Sequence, residues 1–138
     1  MTVINLYNTL TREKEPFVPL DAENVRVYAC GPTVYDRIHV GNARPIVVFD
    51  VLVRLLRHHY PQVTYVRNIT DVDDKIITRA AESDIDIGKL CDDTIACFHR
   101  DIAALGALPP DNEPRSTAFI AEMIDMITLM IEKGHAYL

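Results

Sequence analysis

Between residues 25 and 69 two short stretches of strand composition flank one long apolar run, and this arrangement restricts the fold more than any other feature. VRVYAC, from Val25 to Cys30, is rich in β-branched and aromatic residues and stops at Gly31-Pro32, a strong turn signal. VTYVRNI, from Val63 to Ile69, has the same composition. The run between them, ARPIVVFDVLVRLLRHH over residues 43–59, has the valine content of a strand but is too long for one. Pro45 fits the first turn of a helix and would damage a central strand. The run therefore predicts a largely buried helix that starts near Gly41 to Pro45 and ends before Pro61, with Arg54 and Arg57 on one face. Strand, helix, strand is a βαβ unit, whose two strands are parallel with a right-handed crossover. The expected class is α/β, a Rossmann-like parallel sheet followed by helices.

The flanks give further elements. Val3 to Tyr7 predicts a strand, followed by a polar turn, NTLTREKEP. Thr70-Asp71-Val72-Asp73 reads as a capping box with Thr70 as N-cap, opening a helix to about Ser83 with Asp71, Asp73 and Asp74 near its positive end. A second helix is expected over Ile87 to Ala107, then a break at Pro109-Pro110. A third is expected from Pro114 to Lys133, stopped by Gly134. Its stripe of Ile120, Met123, Ile124, Ile127, Met130 and Ile131 has helical spacing and reads as packing surface. Gly134-His135-Ala136-Tyr137 reads as the beginning of a strand, which suggests a fragment of a longer chain.

Composition excludes several classes. At 49% hydrophobic residues the chain is too apolar for disorder. No run of about 18 apolar residues is present, so no membrane-spanning helix is expected, and with no signal-peptide pattern a cytoplasmic protein is the default. The charge is divided: residues 1–69 carry +2 and residues 70–138 carry −8. The acidic half would repel a phosphate backbone, so the piece is not expected to bind nucleic acid strongly, and phosphate chemistry belongs in the first half. Cys30, Cys91 and Cys97 are odd in number and contain no CxxC, which argues against a disulfide framework.

The loop after the first strand of the βαβ unit carries the chemistry. In a parallel sheet the carboxyl ends of the strands face the ligand crevice, and free N–H groups at a helix start attract phosphate. His39 can donate to a phosphate oxygen and Gly41 lets a nucleotide approach. The competing reading makes His39 a helix-start residue satisfied by backbone. Neither a P-loop nor a GxGxxG motif is present.

CGPTVYDRIHVGNARP resembles the first signature region of class I aminoacyl-tRNA synthetases, written HIGH. LYNTLTREKEPF, YVRNITDVDDKII and KGHAY narrow the resemblance to the cysteine–tRNA ligase family, over essentially the whole chain but only the first third or so of such an enzyme. The resemblance implies a Rossmann-like domain that activates cysteine with ATP, passes through cysteinyl adenylate and charges tRNA(Cys). Residues 1–110 would be the first half of that domain, and residues 111–138 a helix leading into the connective insertion.

It implies His39 and Asn42 as catalytic residues, with Thr33, His39, Gly41 and Asn42 on ATP and its Mg2+. Asn42 replaces the final His of the motif and keeps a polar donor. Tyr35 would help Thr33 shape the pocket. Cys30, Gly31 and Thr70 would bind cysteine, with Cys30 as one zinc ligand and the remaining Cys, His and Glu ligands beyond residue 138. A thiol bound to zinc is deprotonated, which separates cysteine from serine. On the residues alone, Cys30 is a buried strand cysteine and Thr70 a plain N-cap. Asp36 and Arg37 receive no role, and His58, His59, His99 and His135 read as structural or solvent-facing. The KMSKS-type loop of the family is absent from these residues, so the piece alone is expected to be inactive. Two other readings remain open here: the related cysteine–amino-sugar ligase of mycothiol synthesis, against which Lys75 and the NTLTREKEPF start speak, and a truncated non-catalytic paralogue.

Overall fold

A computed structural model describes residues 3–137. In chain order it contains β1 (Asn5–Asn8), β2 (Glu13–Pro16), β3 (Val25–Ala29), α1 (Val40–His59), β4 (Val63–Arg67), α2 (Asp74–Ser83), α3 (Ile87–Ala104), a 3-10 turn at Ser116–Phe119 and α4 (Ile120–Glu132). β3 and β4 pair in parallel, with Val25 opposite Val63 and Ala29 opposite Arg67, and α1 is the crossover between them. The βαβ unit is therefore present, in a mixed α/β fold of the Rossmann-like type.

α1 buries one stripe, Ala43, Ile46, Asp50, Val53 and Leu56, with the spacing of a single helix face. Its opposite side, with Val47, Val48, Val51 and Leu55, is exposed, so the helix is half buried rather than largely buried. Two apolar clusters hold the sheet. Val53 and Leu56 meet Val25, Ala29, Val63 and Tyr65. Ile46 meets Val34, Ile69 and the inward faces of α2 and α3, including Ile76, Ile95 and Phe98. Asp50 and Arg54 also fasten the loop after α3: Asp50 accepts from Leu108 N at 2.9 Å, and Arg54 donates to the Gly106 carbonyl at 2.9 Å. That loop begins at Ala104, earlier than Ala107, because the chain turns through Gly106 at φ +73°.

Several expectations change. The first strand is Asn5–Asn8, and the stretch read as turn contains its antiparallel partner, Glu13–Pro16. Thr70 is not an N-cap. Its backbone stays extended, with its N–H given to Pro32 O at 3.0 Å and its carbonyl accepting from Val34 N at 3.1 Å. Asp73 caps the helix instead, accepting from Lys75 N at 2.8 Å. Asp71 is buried away from the helix start, where its carboxylate takes the Thr117 N–H at 2.9 Å and the Thr117 hydroxyl at 2.6 Å.

Residues 111–116 do not begin a helix. They run parallel to the outer edge of β4 as a strap, with Arg67 N on Asn112 O, Ile69 N on Pro114 O, and Ser116 N on Ile69 O. The Asp111 carboxylate completes it, accepting from Tyr65 N at 2.7 Å and from Arg57 at 2.9 Å. Only after the 3-10 turn does α4 form. None of its residues is buried, so the Met/Ile stripe is left largely exposed among the described residues. Gly134 ends the region at φ +73°, but residues 134–137 form no strand.

Because Asp71 holds two donors of the 3-10 turn, Asp71→Ala is expected to destabilise the protein by about 1.5–3 kcal/mol, the usual range for hydrogen bonds to a charged group. Denaturant unfolding with an unchanged midpoint would show that the Thr117 contacts hold nothing together.

Candidate functional site

The site lies where β3 and β4 end and α1 begins. β3 stops at Ala29, which leaves Cys30 beyond the ladder and exposed, not buried in a strand. Its thiol makes one weak contact, to the Gly31 carbonyl at 3.6 Å. Gly31 is fixed by close approach: a Cβ there would stand 1.5 Å from the backbone oxygen of Asn68. The Gly31 N–H donates to Asn68 Oδ1 at 2.9 Å, and Asn68 Nδ2 donates to Thr70 Oγ1 at 3.2 Å. One step on, Thr33 and Thr70 form a parallel bridge. Gly31, Thr33 and Thr70, expected in two different subsites, thus share one extension of the ladder, with Asn68 at its centre.

His39, Gly41 and Asn42 form a second group at the start of α1. His39 is the N-cap, in extended backbone, and its Nδ1 accepts from Gly41 N at 3.0 Å. Asn42 Oδ1 accepts in return from His39 N at 3.3 Å. The reading of His39 as a helix-start residue satisfied by backbone is therefore correct for one ring nitrogen only. Nδ1 is taken up as the acceptor, while Nε2 of the exposed ring makes no hydrogen bond among the described residues. Gly41 serves the cap as well, since a Cβ there would lie 2.7 Å from His39 Cε1. Asn42 orients its acceptor toward the backbone, so its first task is to hold the loop.

Residues 34–38 join the two groups and are pinned along their length. Val34 is buried and Ile38 packs on the same core. Arg37 makes a two-pronged ion pair with Asp101 of α3, and Asp36 meets Arg79 of α2. Lys75 Nζ sits 5.5 Å from the centre of the Tyr35 ring, a cation–π contact. The residues left without a role in the sequence thus fasten the signature loop to the helices behind it.

Cys91 is buried, and burial together with the nearby Asp71 pushes its thiol pKa up, so it stays protonated and inert. Cys97 accepts from Arg100 at 3.3 Å. His99, read as structural or solvent-facing, pairs with Glu113 of the strap. A zinc site takes four ligands in a tetrahedron. Cys30 supplies a donor of the right chemistry, but no group of three or more His, Cys, Asp or Glu side chains among the described residues is arranged to hold a metal. These residues alone do not fit a zinc ion.

Asn68 was missed in the sequence. Its place follows from the register and not from any local motif: with Ala29 opposite Arg67, the next rung sets Cys30 opposite Asn68. No described helix is long and apolar enough to cross a membrane.

Comparison with known proteins agrees with this geometry. The cysteine–tRNA ligase of Rhodospirillum rubrum is 63% identical over 134 residues, covering 97% of this chain and 29% of that protein. Those of Acidiphilium cryptum and Ruegeria pomeroyi are 58% and 60% identical, each covering 99% of this chain and 30% of the relative. The chain thus spans less than a third of the length of these relatives. Residues 16–138 match the family described as tRNA synthetases, class I (C), catalytic domain. With its signature loop capping a crossover helix at the tip of a parallel sheet, the chain belongs to the class I (C) tRNA synthetase catalytic-domain family.

Proposed function

We propose that this chain forms the first part of the catalytic domain of a cysteine–tRNA ligase, acting in the cytoplasm on ATP, L-cysteine and tRNA(Cys). The observation that carries the reading is the His39 cap: one ring nitrogen is consumed by the Gly41 N–H, which leaves the other, on an exposed ring at the positive end of a helix, available to an anionic ligand. ATP phosphates, carrying Mg2+, meet His39 and the α1 start, with Gly41 leaving room, Asn42 holding the cap and Thr33 flanking the nucleotide. The cysteine carboxylate attacks the α-phosphorus, forming cysteinyl adenylate and releasing pyrophosphate. Charge grows on the phosphate oxygens in that step, where a preset donor acts.

Cysteine lies at the ladder tip, against Cys30, Gly31 and Thr70. Cys30 would offer one thiolate ligand to a zinc ion that these residues alone do not hold, and such an ion would supply preference for a thiol over a hydroxyl. Residues 1–110 stand as the first half of the catalytic domain, and residues 111–138 lead into an insertion, tied back by the strap. The acidic second half is not a tRNA-binding surface. The names of the relatives favour this reading over an amino-sugar ligase.

The test is ATP–pyrophosphate exchange by the complete polypeptide that carries these residues. Exchange dependent on cysteine and weak with serine is expected; exchange indifferent to the amino acid overturns the reading. His39→Ala is expected to lower kcat by about 10²–10³-fold. His39→Asn keeps a cap acceptor and is expected to restore stability but not kcat.

A further inference from the structure

We infer that Asn68 is a positioning residue that sets the spacing between the Cys30-Gly31 tip and Thr70, and through it the grip on the amino acid. The inference rests on the proposed role of that tip in holding cysteine.

Asn68 is half buried and follows β4 directly. Its amide bridges the two chain ends that leave the sheet. Oδ1 takes the Gly31 N–H at 2.9 Å, and Nδ2 gives a hydrogen bond to Thr70 Oγ1 at 3.2 Å. The Gly31 donor forces the amide orientation, because only the oxygen can accept from an N–H. Orientation in turn directs the NH2 group to the threonine. One planar group therefore fixes a backbone atom beside Cys30 and a side-chain oxygen of Thr70. Its own backbone oxygen fills the space that a Cβ on Gly31 would need, so the two segments are clamped from both sides.

Such a clamp touches the amino-acid side of the site. It makes no contact with the His39 cap, whose hydrogen bonds close within residues 39–43. A loss at Asn68 therefore falls mainly on cysteine and reaches ATP only indirectly, through the Thr33–Thr70 bridge, an unequal division that general loss of stability would not produce.

The test compares Asn68→Ala and Asn68→Asp with the parent in the complete polypeptide, with two readouts. The first is amide hydrogen exchange at Gly31, which needs no catalysis. The second is KM for cysteine and for ATP in pyrophosphate exchange. Asn68→Ala is expected to raise KM for cysteine roughly tenfold, the effect of one well-made hydrogen bond, with KM for ATP within about twofold. It is also expected to speed exchange at Gly31. Asn68→Asp keeps the shape and an acceptor for Gly31, and can accept from the Thr70 hydroxyl, so slow Gly31 exchange is expected to return.

Unchanged Gly31 exchange in Asn68→Ala, or equal changes in both KM values, overturns the inference while the function stands. A parent that shows no cysteine-dependent exchange overturns the functional reading and the inference together. If Asn68→Ala does not fold, fast Gly31 exchange in a folded Asn68→Asp overturns the clamp, and slow exchange there supports it.

Discussion

Gly31→Ala is expected to be among the most damaging single-methyl additions in this protein, destabilising it by about 3 kcal/mol or more, at the upper end of overpacking effects. The added carbon would stand 1.5 Å from the Asn68 backbone oxygen, and a backbone atom cannot swing aside as a side-chain end can. Relief requires the ends of β3 and β4 to separate. That breaks the Gly31–Asn68 hydrogen bond and disturbs the Thr33–Thr70 bridge just beyond it. Cysteine activation is expected to fall with stability, since Cys30 moves with Gly31. Thermal unfolding and pyrophosphate exchange of the complete polypeptide check this. An apparent Tm within about 1 °C of the parent would mean that the ladder does not approach Gly31 this closely. The contrast is Gly106→Ala, where a Cβ meets nothing within 4 Å and only the positive φ is strained, for which a smaller loss of about 1 kcal/mol is expected.

The elements legible in the sequence are those whose cause is local. Pro45 and the length of the 43–59 run decide helix over strand without outside information, and Gly31-Pro32 marks the strand end within one residue of where it falls. What was hidden depends on partners distant in the chain. EKEP has no strand composition and becomes β2 only because β1 lies beside it. DNEPRS offers locally a helix start at Pro114, yet it runs as a third strand-like line because the open edge of β4 offers its N–H and C=O groups. Thr70-Asp71-Val72-Asp73 looks locally like a capping box. The register with Thr33 keeps Thr70 extended, so the same acidic cluster supplies a cap three residues later.

The candidate site divides in the same way. His39, Gly41 and Asn42 sit in one short motif and can be read from it. The clamp at Asn68 joins residues 37 positions apart and is visible only once the parallel register is known. The apolar residues of α4 were expected to pack, and their helical spacing is real, but the described residues bury none of them.

Below the tip of the sheet lies the group with the second largest expected effect. Arg67, the last residue of β4, is 2% exposed, and among the described residues its only side-chain ion pair runs to Glu113 of the strap at 3.0 Å. Its guanidinium lies 5.2 Å from the centre of the Phe98 ring, while Nε and Nη1 have no hydrogen-bond partner among the described residues. The nearby Tyr65 hydroxyl is likewise buried and unpartnered, and burial pushes the phenol pKa up against the opposing pull of Arg67. A guanidinium does not give up its proton, so a single carboxylate neutralises a charge that cannot leave. Glu113→Ala is therefore expected to cost about 3–5 kcal/mol, the usual penalty for stranding one half of a buried pair. Arg67→Met is expected to cost less, because Glu113 is more exposed and keeps His99 as partner. The double variant Arg67→Met/Glu113→Ala is expected to recover most of the loss, since the cost lies in the unpaired charge rather than in the missing bond. Denaturant unfolding of the four proteins gives the coupling directly, and additive effects would show that solvent already reaches Arg67. Because Asn68 follows Arg67 in the chain and the strap starts from the same edge, release of this ion pair should also loosen the Gly31 amide. That would make the buried charge the anchor on which the Cys30-Gly31 tip is built.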